Sequence, residues 1–198
     1  MSLIKDLYKK REREAFKITA LGDSLTYGWL VSKGYLDYLG EMLNIKYPEL
    51  KISINNLGVP GDTARDGLRR INEVIKSNPD LCIIQFALND AFTGMRPDAF
   101  KMNIEQIVKK VQSDTSAEIL LLTSVPVSSA YENKIAESFY DEIIRCGEDY
   151  GIPVAKVHEY WKKKISGGIN HSSLVQGDGV HPVEKGYRLM AEAVLELL

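Results

Sequence analysis

The chain has 198 residues, 25 Lys and Arg against 27 Asp and Glu, a net charge of −2, 44% hydrophobic and 26% charged residues. That composition excludes whole-chain disorder, collagen-like structure and coiled coil, and its near-neutral balance leaves no footprint for nucleic acid or an anionic membrane surface. A chain of this length buries roughly 70% of the surface it exposes when unfolded, and no repeat or Pro/Gly/Ser-rich linker divides it, so residues 1–198 read as a single domain.

The first element is a weak helical pattern from Ser2 to about Arg13. Its charges lead into no apolar run of signal-peptide length, and the sequence has no apolar stretch long enough for a membrane span, so the expected location is cytoplasmic. Strands are expected at Phe16–Leu21, Leu50–Asn56, Leu81–Leu88, Ala117–Thr123 and Ile152–Val157. Between the first two lies a helix from Ser32 to about Tyr47, and Thr63-x-x-Asp66 forms a capping box that opens another. Pro97–Ser113 places Phe100, Ile104, Ile107, Val108 and Val111 on one helical face. Asn133–Tyr150 does the same with Ile135, Phe139, Ile143, Cys146 and Tyr150. A last stripe runs through Tyr187, Met190, Ala191, Val194 and Leu198. The middle strands are continuously apolar, as a parallel strand covered on both faces requires.

Strand–helix alternation five times over predicts a three-layer α/β/α sandwich with a flavodoxin-like, five-stranded parallel sheet of order 2-1-3-4-5. Ligands of such folds bind beyond the carboxyl ends of the strands, near the switch point between strands 1 and 3. Cys82 and Cys146 sit in apolar contexts and read as buried thiols, with a disulfide as the minority alternative. With no Cys-x-x-Cys and only His158, His171 and His181, nothing suggests a metal site.

Four loops carry chemistry. The first strand runs into Gly22-Asp23-Ser24-Leu25, where a hydroxyl can face solvent and backbone N–H groups are free, although a serine there serves equally as a turn or helix cap. The second ends in Gly58-Val59-Pro60-Gly61-Asp62-Thr63; the Gly61 N–H is placed to hold an oxyanion, and Gly61 is also a natural turn residue. The third ends in Ala87-Leu88-Asn89-Asp90, with Asn89 as an amide donor or an ordinary turn asparagine, and Asp90 as a brace. Asp178-Gly179-Val180-His181-Pro182 closes the set. Pro182 suits the first turn of the final helix, which places His181 at that helix's start, and Asp178 can return to the imidazole and fix its tautomer. His158 and His171 read as structural. Tyr27 and Trp29 are pocket or packing residues. The segments Thr93–Pro97, Val125–Tyr131 and Ser166–Gly177 are expected to wall the site.

In this combination and order the blocks resemble those of the SGNH hydrolases, the GDSL lipase/esterase family. The resemblance implies Ser24 as nucleophile, Asp178 and His181 as its partners, and an oxyanion hole from Ser24, Gly61 and Asn89. It implies no cofactor and no metal. One departure is Ala87, where the family usually has glycine; its methyl group is expected to tighten the backbone beside the oxyanion loop. The implied reaction is hydrolysis of a small-molecule acyl ester through an acyl-enzyme. The wall segments hold small and polar residues and no long apolar run, which favours short acyl groups such as acetyl. A thioesterase or lysophospholipase would use the same site. A non-catalytic flavodoxin-like module for a nucleotide or FMN is the competing class, although the sequence has neither G-x-G-x-x-G nor G-x-x-x-x-G-K-[ST].

Overall fold

The computed structural model describes Ile4 and residues 15–198. Apart from Ile4, the expected helix from Ser2 to about Arg13 lies outside them. Five parallel strands, β1 (Phe16–Gly22), β2 (Ile52–Gly58), β3 (Leu81–Gln85), β4 (Glu118–Leu122) and β5 (Val154–Ala155), form one sheet of order β2-β1-β3-β4-β5. The order matches the alternation argument. The ladder pairs Gly22 with both Gly58 and Gln85, Gln85 with Leu122, and Leu122 with Ala155, so all five strands end in one row. Every loop expected to carry chemistry except the last leaves from that row.

Within residues 15–198 the helices are α1 (Ser24–Tyr27), α2 (Tyr35–Lys46), α3 (Ala64–Arg69), α4 (Ile71–Ser77), α5 (Leu88–Phe92), α6 (Pro97–Asp114), α7 (Ala130–Tyr150), α8 (Val157–Ser166) and α9 (Glu184–Leu195), with a 3-10 turn at His171–Ser173. α2 and α8 pack on α9, and α3, α4 and α7 pack on α6, which gives the sheet its two covering layers. β3 is buried at every residue, and the α6 stripe from Phe100 to Val111 is buried as its spacing predicts. Cys82 and Cys146 are both buried and free.

Several boundaries differ from the sequence reading, and three of them have a clear local cause. β3 stops at Gln85 rather than Leu88, because Ala87 turns out of the strand at φ 140° and Leu88 opens a helix. The apolar run continues because Phe86 and Ala87, in the connection, and Leu88, at the helix start, stay buried. β5 shrinks to two residues, since Pro153 has no N–H to donate and Val157 already begins α8. The final helix begins at Glu184, not at Pro182. Pro182 instead forms an antiparallel bridge with Val175, and Val183 N–H bonds to Leu174 O. His181 therefore sits on a short hairpin ahead of the helix rather than at its start.

Candidate active site

β1 delivers the first candidate residue. Asp23, not Ser24, caps α1: its Oδ1 accepts the Leu25 N–H at 2.9 Å. Ser24 is thus relieved of capping, and its hydroxyl is left for another partner. The tight turn needs Gly22, because a Cβ there would lie 2.1 Å from Thr26 Oγ1 and 2.7 Å from Gln85 O. Beneath the turn Gln85 bridges Thr26 Oγ1 at 2.8 Å and Asp23 Oδ2 at 3.3 Å. Burial pushes the Asp23 carboxyl up to about 7, opposed by its bonds from Leu25 and Gln85.

The hairpin ahead of α9 delivers the second. Gln176 N–H bonds to His181 O at 2.7 Å, and Ser128 N–H to Gly179 O at 2.8 Å, which fixes the loop on both sides. His181 Nε2 lies 2.9 Å from Ser24 Oγ, and His181 Nδ1 lies 2.6 Å from Asp178 Oδ2. Asp178 Oδ1 also accepts the N–H groups of Val180 and His181 at 2.9 and 3.0 Å. Burial raises the Asp178 carboxyl, but these bonds outweigh it and hold the group below the usual carboxylate range. Residues 157 positions apart in sequence are thereby joined in one hydrogen-bonded row, serine to histidine to aspartate.

Of the two further donors expected, Asn89 lines the cleft with Ser24, and Gly61 is not among the residues that line it. Gly61 adopts φ 87°, a conformation that disfavours any side chain, and among the described residues its N–H donates to no protein acceptor. Asn89 is not a local turn residue. It reaches across to Asp62 O at 2.8 Å and lines the same cleft as Ser24. Asp90 accepts the Ala64 N–H at 3.0 Å, bracing the start of α3, as expected of it. Ala87 is fully buried at φ 140°, ψ −42°, so the departure at this position holds a strained backbone. Strain of this kind costs on the order of 1–3 kcal/mol.

The cleft has a volume of about 260 Å³. Ser24, Asp178, His181 and Asn89 line it, with Leu25, Leu88, Phe92 and Val180 as its apolar walls. None of the three segments expected to wall the site does so. Two of them buttress it instead, through the Ser128 and Gln176 bonds, with His171 Nε2 bonded to Pro126 O. Sequence reasoning missed Phe92 and Val180 as walls, although each lies within three residues of a residue it had singled out. Trp29 packs beside the site, its ring 6.3 Å from that of His181. His158 is structural as expected, buried with Nδ1 on Thr123 Oγ1 at 3.0 Å. Among the described residues no group of His, Cys, Asp and Glu is arranged to hold a metal ion, and no helix is long and apolar enough to cross a membrane.

A parallel α/β sandwich with a serine–histidine pair beyond the carboxyl ends of its strands has the constitution of a hydrolase acting through nucleophilic serine. The chain belongs to the GDSL-like Lipase/Acylhydrolase family, which matches residues 20–189. It is accordingly a carboxylic ester hydrolase of the GDSL/SGNH type. Membership sets aside the nucleotide- or flavin-binding alternative. The chain is 26% identical over 207 residues to an acetylxylan esterase of Geobacillus stearothermophilus, covering 90% of this chain and 92% of that protein. It is 25% identical over 175 residues to thioesterase 1/protease 1/lysophospholipase L1 of Escherichia coli (strain K12), covering 87% and 78%. In structure it resembles an acetylxylan esterase from Geobacillus stearothermophilus, with TM-score 0.82, 21% identity and coverage of 92% and 93%. It also resembles the lipase/acylhydrolase from Enterococcus faecalis, with TM-score 0.78, 24% identity and coverage of 91% and 94%.

Proposed function

We propose that the protein hydrolyses esters of short acyl groups, acetyl above all, with Ser24 as nucleophile, His181 as base and Asp178 as the group that orients it. The observation that carries this reading is the pair of bonds of 2.9 and 2.6 Å from Ser24 Oγ through the imidazole to Asp178. Asp178 fixes the tautomer, leaving Nε2 as the acceptor for the serine proton. Ser24 Oγ attacks the acyl carbon and His181 takes its proton. The N–H groups of Ser24, Gly61 and Asn89 receive the developing oxyanion. When the bond to the leaving alcohol breaks, His181 returns the proton to that oxygen. Water then attacks the acyl-serine carbonyl, giving a proton to His181. Breakage of the acyl–Ser24 bond releases the acid and restores the hydroxyl.

The acyl preference rests on the cleft. At about 260 Å³ it lies just below the 300–1,000 Å³ usual for ligand pockets, and its apolar walls suit a small acyl group. The acetylxylan esterase relatives support the same choice. A panel of p-nitrophenyl esters from acetyl to palmitoyl tests it, with the highest kcat/KM expected at the short end. A maximum at long chains would overturn the short-acyl reading and favour thioesterase or lysophospholipase activity at the same site.

A further inference from the structure

We propose that Arg70 is a positioning residue for oxyanion stabilisation, holding the nucleophile turn and the oxyanion loop in one register. The inference rests on the catalytic roles proposed above. Arg70 caps the C-terminus of α3, and its guanidinium bonds to two loops. Nε donates to Asp62 Oδ2 at 2.7 Å and Nη2 to Gly22 O at 2.9 Å. Gly22 ends the strand that delivers Ser24, two residues before it, and Asp62 directly follows Gly61. The same Asp62 offers its carbonyl to Asn89 Nδ2 at 2.8 Å. One guanidinium–carboxylate pair thus connects the three segments that carry the N–H groups of Ser24, Gly61 and Asn89. The Arg70 and Asp62 side chains are only 15% and 17% exposed, so solvent loosens the contact little.

The pair is poorly explained as a device for stability alone. Arg70 Nη1 is buried with no partner, a cost that an apolar side chain of similar length would not carry. What only arginine supplies is a rigid planar fork that reaches a carboxylate and a carbonyl at once, which a lysine ammonium does not reproduce. Preorganised donors stabilise a transition state only while they stay aimed at where charge develops.

The test uses Arg70→Met, Arg70→Lys and Ser24→Ala in the full chain, with p-nitrophenyl acetate as substrate and a small alkyl boronic acid as tetrahedral-adduct analogue. For Arg70→Met, kcat is expected to fall about 10- to 100-fold, the penalty of misplaced catalytic groups, with KM little changed. Arg70→Lys is expected to lose nearly as much. The inhibition constant of the boronic acid should rise in step with the loss in kcat/KM, which a merely structural role would not produce. Wild-type kcat in Arg70→Met, or a lower kcat with unchanged boronic acid affinity, would overturn the inference. If Arg70→Met fails to fold, Asp62→Asn keeps the bond to Asn89 while removing the charge pair, and the same outcomes are read from it. Full activity in Ser24→Ala would instead refute the catalytic roles on which the inference rests.

Discussion

Asn89→Ala removes two bonds of different worth, and the structure separates them. One Nδ2 hydrogen is committed to Asp62 O at 2.8 Å; the other is free for the cleft that Asn89 lines with Ser24. Losing the tether removes a neutral hydrogen bond and should lower stability by about 1 kcal/mol. Losing the donor to the oxyanion should lower kcat by about 100- to 1,000-fold, or about 3–4 kcal/mol of transition-state stabilisation. KM should change little, because the donor acts most strongly once charge has formed on the carbonyl oxygen. Steady-state kinetics with p-nitrophenyl acetate and a urea unfolding curve measure the two effects on the same protein. Turnover within threefold of wild type, with the loss of stability intact, would show Asn89 to be a loop tether and refute its role as a donor.

Asp178→Asn keeps an oxygen for the Val180 and His181 N–H groups but offers no carboxylate to the imidazole, so kcat should fall by about 100- to 10,000-fold through the wrong tautomer, with the fold intact. Unchanged kinetics in that variant would show that the 2.6 Å contact does not orient His181. The buried Asp23 makes a pH prediction. Its carboxyl is raised by burial from 3.8 to about 7, so between those values the folded state holds a proton that the unfolded chain has lost. Stability from this group is therefore present at low pH and falls as pH rises through that window, by at most about 4 kcal/mol in all. Asp23→Asn should remove that slope, and unfolding free energies of the two proteins between pH 4 and 8 check it; parallel curves would contradict the assignment. Asp90, raised by burial to about 6, adds a slope of the same sign that both proteins keep.

The parts of the site that sequence revealed are those whose chemistry is local. A Gly-Asp-Ser at the end of a buried strand, and an Asp three residues before a His, announce their geometry within a few residues. The sheet order was legible for a similar reason, since alternating strand and helix patterns leave few right-handed parallel arrangements. What sequence withheld depends on contacts between distant segments. Arg70 lies 48 residues from the carbonyl that it binds, and in sequence it looks like any surface charge between two short helices. Pro182 satisfies the rule for a first helical turn, and only its bridge to Val175 removes it from the helix. The end of β3 was hidden because Phe86 and Leu88 stay buried after the strand has ended, so burial no longer reports pairing.

The central claim is that the Ser24 hydroxyl is the attacking group. A fluorophosphonate probe reports on it directly, because it forms a bond only with a serine activated by a base. Incubation of the wild-type protein, followed by digestion and peptide mass mapping, should place one phosphonyl group on Ser24, with matching loss of esterase activity and no labelling of His181→Ala. Label on another residue, or full inactivation with Ser24 unmodified, would contradict the account.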